Sequence, residues 1–211
     1  MVQSFNLDAT LYSAAAYFNK SLLMPHFLVK DISKIDFELL KELGFEGLIF
    51  DKDNTLTAPY VNEIHPTIRD AFEHCRSVFG EKIAIMSNSA GTNDDKRYED
   101  ARKIEKDLGI AVLRHARKKP SGFNAVRNYF RHIPFSNLVM FGDRILTDVA
   151  FGNRYGMLTV YTALLTEEGD NKAAAKIRKY ELPLVKKLIE KGVKAPHHKK
   201  YDSRICLESL I

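Results

Sequence analysis

No apolar run in the 211 residues reaches the roughly 20 that a membrane-spanning helix needs. Cysteine is scarce: Cys75 and Cys206 stand far apart, which excludes a disulfide framework or a zinc cluster of recognisable spacing. The chain has no internal repeat, no low-complexity stretch and no nucleic-acid reader motif. Its aromatic residues are not interleaved with basic ones, so nucleic acid is not expected as a partner. The arginine-rich, acid-poor character of a transit peptide is missing as well, because residues 1–30 contain no Arg and include Asp8. They do not read as a signal peptide either. What remains is 45% hydrophobic and 28% charged, the balance of a globular domain with one core.

Charge is unevenly placed. Between Asp170 and Lys200, ten Lys or Arg stand against three Asp or Glu, a local excess of +7. Such a segment suits an anionic membrane surface, at roughly 1 kcal/mol per basic residue near lipid, and it equally suits a solvated helix face. At the other end Leu7, Leu11, Ala14, Phe18 and Leu22 recur at helical spacing before Pro25, with Tyr12 and Tyr17 flanking them. This stripe fits lipid headgroups, packing on its own domain, or another subunit of a homo-oligomer.

From Glu46 onward short β-rich runs alternate with helical patterns. The expected strands are GLIF, KIAIM, IAVLRH, NLVMF and MLTVY. Helices are expected near 66–79, 93–108, 121–131, 146–155 and 172–191, the last broken or kinked at Pro183. That alternation is the mark of an α/β fold, a Rossmann-like doubly wound parallel sheet. It divides the chain into an N-terminal amphipathic segment (1–35), the α/β domain (36–169) and a basic C-terminal helix and tail (170–211).

In open α/β sheets ligands bind beyond the carboxyl ends of the strands. Four such ends are polar here: Asp51 and Asp53, Ser87 and Asn88, Lys118 and Lys119, and Asp143 followed by Asp148. Residues i and i+2 of an extended chain point the same way, so Asp51 and Asp53 can face one spot. Two like charges that close call for a cation or a shared proton. With Asp143 they form an all-oxygen set suited to a hard cation such as Mg²⁺. Lys119 precedes Pro120 and Ser121, which open an expected helix. A cation there opposes the helix dipole, and an anionic ligand would relieve the conflict. Ser87 and Asn88 supply donors for the same anion.

The motifs D-x-D-x-T at Asp51–Thr55, Ser87 after the second strand, Lys119 before proline, and G-D-x4-D at Gly142–Asp148 resemble the haloacid dehalogenase superfamily of phosphatases. Within it, DKDNTLT, MSNSAGTNDDK, VLRHARKKP and FGDRILTDVAFGN are similar to the mitochondrial phosphatidylglycerophosphate phosphatases of fungi and plants, over about residues 35 to 160. The resemblance implies a catalytic set of Asp51, Asp53, Ser87 and Lys119, with Asp51 as nucleophile and Asp53 as general acid and base. It implies Mg²⁺ on the Asp51 carboxylate, the Asp53 backbone carbonyl and Asp143. Ser87 and Lys119 would hold the phosphoryl oxygens, and Asp148 would support the metal ligands.

Roughly 30 residues separate successive motifs, the length of one strand-helix-strand crossover, so no cap domain is expected over the site. An open site together with the basic C-terminal segment favours a phospholipid monoester. The resemblance then implies hydrolysis of phosphatidylglycerophosphate in cardiolipin synthesis, by a peripheral protein on the matrix side of the mitochondrial inner membrane. Two alternatives stay open. One is a soluble phosphatase of the same fold acting on a sugar phosphate, nucleotide or phosphoprotein. The other is a non-catalytic membrane scaffold, against which the costly charge cluster argues.

Overall fold

The computed structural model describes residues 19–210. The apolar stripe from Leu7 to Phe18 lies outside the described residues. Six parallel strands form one sheet: β1 (Phe27–Val29), β2 (Gly47–Phe50), β3 (Ile83–Ile85), β4 (Ala111–Val112), β5 (Leu138–Gly142) and β6 (Leu158–Thr162), in the spatial order β1-β6-β5-β2-β3-β4. Five of these are the expected runs. The sixth, β1, is three residues long and follows Pro25 in a segment whose spacing suggested only a helix.

The strands are buried on both faces, as parallel sheets require. In β2, Leu48 and Phe50 face one cluster with Phe72, Cys75 and Phe79 of α2 (Arg69–Phe79). Ile49, between them, faces the other side, against Val126 of α4 (Phe123–Tyr129) and Phe151 of α5 (Ala150–Arg154). Helices α1 (Phe37–Glu42) and α3 (Glu99–Leu108) also pack on the α2 side. On the opposite face, beside β1 and β6, α6 (Lys172–Glu190) buries Val185 and Leu188 against Leu28 and Tyr161.

Helix α6 runs through Pro183 as one helix, so of the break or kink expected there the break does not occur. The carbonyl that loses its partner is that of Lys179, on an exposed residue, where water can satisfy it. Segments outside 36–169 also build this domain. Strand β1 pairs with β6, and Ile205 from the C-terminal segment is fully buried in the α2-side core. Asp36 N donates to Ile205 O at 2.9 Å and Leu210 N to Leu28 O at 2.8 Å. Among the described residues no cap domain stands over the strand ends, and no helix is long and apolar enough to cross a membrane.

The chain winds outward from β2 through β3 to β4, then returns to place β5 on the other side of β2. This reversal opens a crevice at the carboxyl ends of β2 and β5, where binding sites of such sheets form. Register Phe50↔Phe141 sets Asp51 beside Gly142, one residue before Asp143.

Helix α5 approaches the sheet closely at Gly152. A Cβ there would lie 2.4 Å from Thr159 Cγ2 and 3.0 Å from Met140 Cβ, with no room to yield. Gly152→Ala is expected to cost about 1–3 kcal/mol through overpacking, measured by urea unfolding. An unchanged midpoint would contradict this tight contact.

Candidate active site

Asp51 leaves β2 with its backbone N–H donating to Phe141 O at 2.8 Å, so the central pair of strands fixes its position. Asp143 directly follows the last residue of β5, Gly142. One turn of π-helix, Ile145–Val149, then brings Asp148 back over Gly142. A Cβ on Gly142 would lie 2.4 Å from the Asp148 side chain, so only glycine admits that carboxylate here. Oxygens of Asp51, Asp143 and Asp148 all lie within 4.8 Å of one another.

The Lys119 ammonium reaches this group from the loop between β4 and α4. Its Nζ lies 2.6 Å from Asp51 Oδ1 and 2.6 Å from Asp148 Oδ1, with the side chain 1% exposed. The Lys119 backbone N–H donates to Asn88 Oδ1 at 2.7 Å, which ties the loop after β3 to the lysine loop. Helix α4 begins only at Phe123, after Gly122, so Lys119 is not at a helix N-terminus. The conflict with a dipole expected from the sequence does not exist; the buried Asp148 and the half-buried Asp51 pair with the lysine.

Ser87 is buried, with Oγ 2.9 Å from Ser89 Oγ. The Asp53 carboxylate is turned into its own loop: Oδ1 lies 2.6 Å from the buried Lys52 Nζ and accepts from Tyr60 N at 3.1 Å. It therefore does not share the Asp51 spot through its side chain, and the backbone bends at Lys52, between the two aspartates.

Two groups were not foreseen from the sequence. Arg178 of α6 extends into the acidic group, with one guanidinium nitrogen 2.5 Å from Asp143 Oδ2 and the other 2.5 Å from Asp170 Oδ2. Glu181, one turn on, is buried and accepts from Leu146 N at 3.1 Å, on the π-turn that carries Asp148. His115 is the second. Its ring nitrogens lie 2.9 Å from Ser87 O and 2.7 Å from Arg117 O, joining the two loops that hold Ser87 and Lys119. Burial lowers its pKa. The spacing of Arg178 and Glu181 on α6 was readable, but their targets were not.

Three carboxylates face two cations, and the excess shows in their proton affinity. Burial, reinforced by Asp51, raises the Asp143 carboxyl well above the usual carboxylate range, against the opposing pull of Arg178. Burial also pushes Asp148 up to about 6, against Lys119. For Lys119 burial works downward, but Asp148 and Asp51 outweigh it and raise its pKa. An all-oxygen set with surplus negative charge fits a hard divalent cation, so Asp51, Asp143 and Asp148 can hold a metal ion.

Asp143 and Asp148 bind protons more tightly folded than unfolded. For Asp148 the cation-free fold therefore loses that contribution as pH rises from the ordinary carboxyl value of 3.8 through about 6, and for Asp143 it is lost in the same direction. A divalent cation competes with those protons, so its stabilising effect must grow over the same window. Thermal melting with and without the cation is expected to show a larger gain near about pH 7 than near about pH 5. An equal gain at both would contradict binding by these carboxylates.

The family described as Mitochondrial PGP phosphatase matches residues 7–165. The chain is 42% identical over 199 residues to phosphatidylglycerophosphate phosphatase 1, chloroplastic/mitochondrial, of Arabidopsis thaliana, covering 93% of this chain. It spans 57% of that relative's length. It is 31% identical over 184 residues to the mitochondrial phosphatidylglycerophosphatase of Saccharomyces cerevisiae, covering 85% of this chain and 96% of that one. A probable phosphatase of Bacillus subtilis is 37% identical over 144 residues, covering 67% of this chain and 77% of its own.

Proposed function

The chain belongs to the mitochondrial PGP phosphatase family, and from that premise we propose that it is a Mg²⁺-dependent phosphatase releasing phosphate from phosphatidylglycerophosphate to leave phosphatidylglycerol. The observation that carries this reading is the Lys119 ammonium 2.6 Å from both Asp51 and Asp148 inside a group of three carboxylates. The place of the reaction is cardiolipin synthesis. The relatives of Arabidopsis and yeast carry chloroplastic/mitochondrial and mitochondrial names, which supports a mitochondrial place; peripheral attachment to the matrix face of the inner membrane, on an anionic lipid surface, is part of the proposal.

Asp51 is the nucleophile in this mechanism. Its Oδ1 is held by Lys119 and its backbone by the β5 carbonyl, so one carboxylate is aimed across the crevice with little freedom. A phosphate monoester dianion repels that carboxylate unless its charge is neutralised. Lys119 supplies one positive charge, and Ser87 and Asn88 supply hydroxyl and amide donors to the phosphoryl oxygens. Mg²⁺, held by the Asp51 carboxylate, the Asp53 carbonyl and Asp143 with Asp148 beside them, would neutralise phosphoryl charge when bound.

Attack by Asp51 on phosphorus breaks the bond to the glycerol oxygen and leaves an aspartyl-phosphate. Asp53, turned from its own loop toward the leaving group, gives its proton to the departing alcohol oxygen, then takes one from the water that hydrolyses the acyl phosphate. That turn breaks its contacts with Lys52 Nζ and Tyr60 N. Without a cap domain over the strand ends, the site can meet a headgroup that remains in its bilayer. A soluble phosphomonoester remains the alternative substrate, and the open crevice is the observation that favours it.

Phosphate release from phosphatidylglycerophosphate in mixed vesicles with Mg²⁺ tests the assignment. Asp51→Asn is expected to abolish turnover, and Lys119→Met to reduce it by on the order of 10²–10³. A wild-type rate from Asp51→Asn would remove the nucleophile from the mechanism. Faster release from a soluble monoester than from the lipid would favour the alternative substrate.

A further inference from the structure

Helix α6 presents a site-facing side and an apolar shoulder next to it. Its inner side carries Arg178 and Glu181 into the acidic group and buries Val185 and Leu188. Its outer shoulder carries apolar residues that touch little. Ala173, Ile177, Tyr180 and Leu184 follow one another at steps of four, three and four, the repeat of a single helical row. Ile177 is 43% exposed, Tyr180 77% and Leu184 39%. The next two positions of that row are Lys187 and Lys191, and the neighbouring row carries the exposed Lys172, Lys176 and Lys179.

We infer that this shoulder of α6 is the lipid-docking surface of the protein, with the apolar row seated among headgroups and the flanking lysines against lipid phosphates. The inference rests on the lipid-substrate reading above and adds the surface that meets the bilayer. The chemistry is that of an interfacial amphipathic helix: a narrow apolar row, a basic flank, and tyrosine at headgroup depth.

A second copy of the chain fits this surface poorly. The apolar row covers less than two heptads, short of the three or four a coiled-coil seam needs. Pairing two such rows would also bring together their lysine flanks, each without a matching acidic row. An anionic bilayer supplies the opposite charge instead.

The surface is connected to the site by a second exposed apolar element. Tyr60 is 60% exposed and Val61 45%. The Tyr60 hydroxyl accepts from Nδ2 of Asn171, the N-cap of α6, at 3.4 Å, while Tyr60 N donates to Asp53 Oδ1. A bilayer resting on α6 therefore lies beside the loop that leads to Asp53. Arg178 on the same helix sets Asp143, so docking and site geometry share one rigid element.

Flotation of the full chain with phosphatidylcholine vesicles, with and without phosphatidylglycerol, tests this directly. The wild type should float with the anionic vesicles and little with the neutral ones. The triple variant Ile177→Ser, Tyr180→Ser, Leu184→Ser and the charge variant Lys176→Glu, Lys179→Glu should each bind anionic vesicles roughly tenfold or more weakly. The charge variant should melt at the wild-type temperature, because Lys176 and Lys179 are exposed. The serine variant removes Ile177 and Leu184 side chains that are more than half covered, so it should stay folded with a lower melting temperature. Wild-type flotation by both variants would overturn the inference. So would a serine variant that changes the sedimentation of the free protein while vesicle binding stays intact, since the row would then serve a second copy. Asp51→Asn should float like the wild type, so retained hydrolysis in that variant would sink the catalytic reading and leave the flotation result standing.

Discussion

A buried ammonium between two carboxylates organises everything else in this protein. Lys119 is 1% exposed and 2.6 Å from each of Asp51 and Asp148. Removing such a charge from water is costly unless it is fully paired, and breaking the pairing by deleting one partner typically costs about 3–5 kcal/mol. The lysine thus forces three separate loops into register: the end of β2, the π-turn after β5 and the segment after β4. Asp143 adds a third carboxylate, and Arg178 only partly offsets it. The site is left short of positive charge at the point where a metal ion and a phosphoryl group would meet.

Topology makes that convergence possible. The reversal of strand order at β2 leaves a crevice between the carboxyl ends of β2 and β5, and the parallel register sets Asp51 and Asp143 on its two walls. Gly142 admits Asp148 where any side chain would collide with it. Asn88 and His115 then tie the loops after β3 and β4 to each other, so Ser87 and Lys119 are carried by one connected unit. From the far side α6 closes the acidic group with Arg178 and steadies the π-turn with Glu181. The helix that seems from its charge to belong to the surface is also part of the site's wall.

Much of this was readable in the residues. Asp51, Asp143, Asp148 and Lys119 follow apolar strand runs, and strand ends of a doubly wound sheet converge by construction. Five strands announced themselves by hydrophobic runs bounded by turns. Strand β1 did not, because its short run closely follows a proline and its burial depends on β6. Arg178 was hidden for a related reason. It sits in a lysine-rich helix where a basic residue is unremarked, and only the packing of Val185 and Leu188 brings it to Asp143. Asp53 differed because the backbone leaves extended geometry just after Asp51, so alternation no longer predicts direction. The dipole argument for Lys119 fails for a structural reason: the helix begins only at Phe123, and the lysine's partners are carboxylates.

The central claim is that Asp51, Asp143 and Asp148 form one cation site facing Lys119. Crystals soaked in Mn²⁺, a hard cation with a usable anomalous signal, test it most directly. The account predicts an anomalous peak touching the carboxylates of Asp51 and Asp143, with Lys119 still paired beside it. A peak elsewhere on the chain, with those carboxylates holding only Lys119 and Arg178, would contradict it.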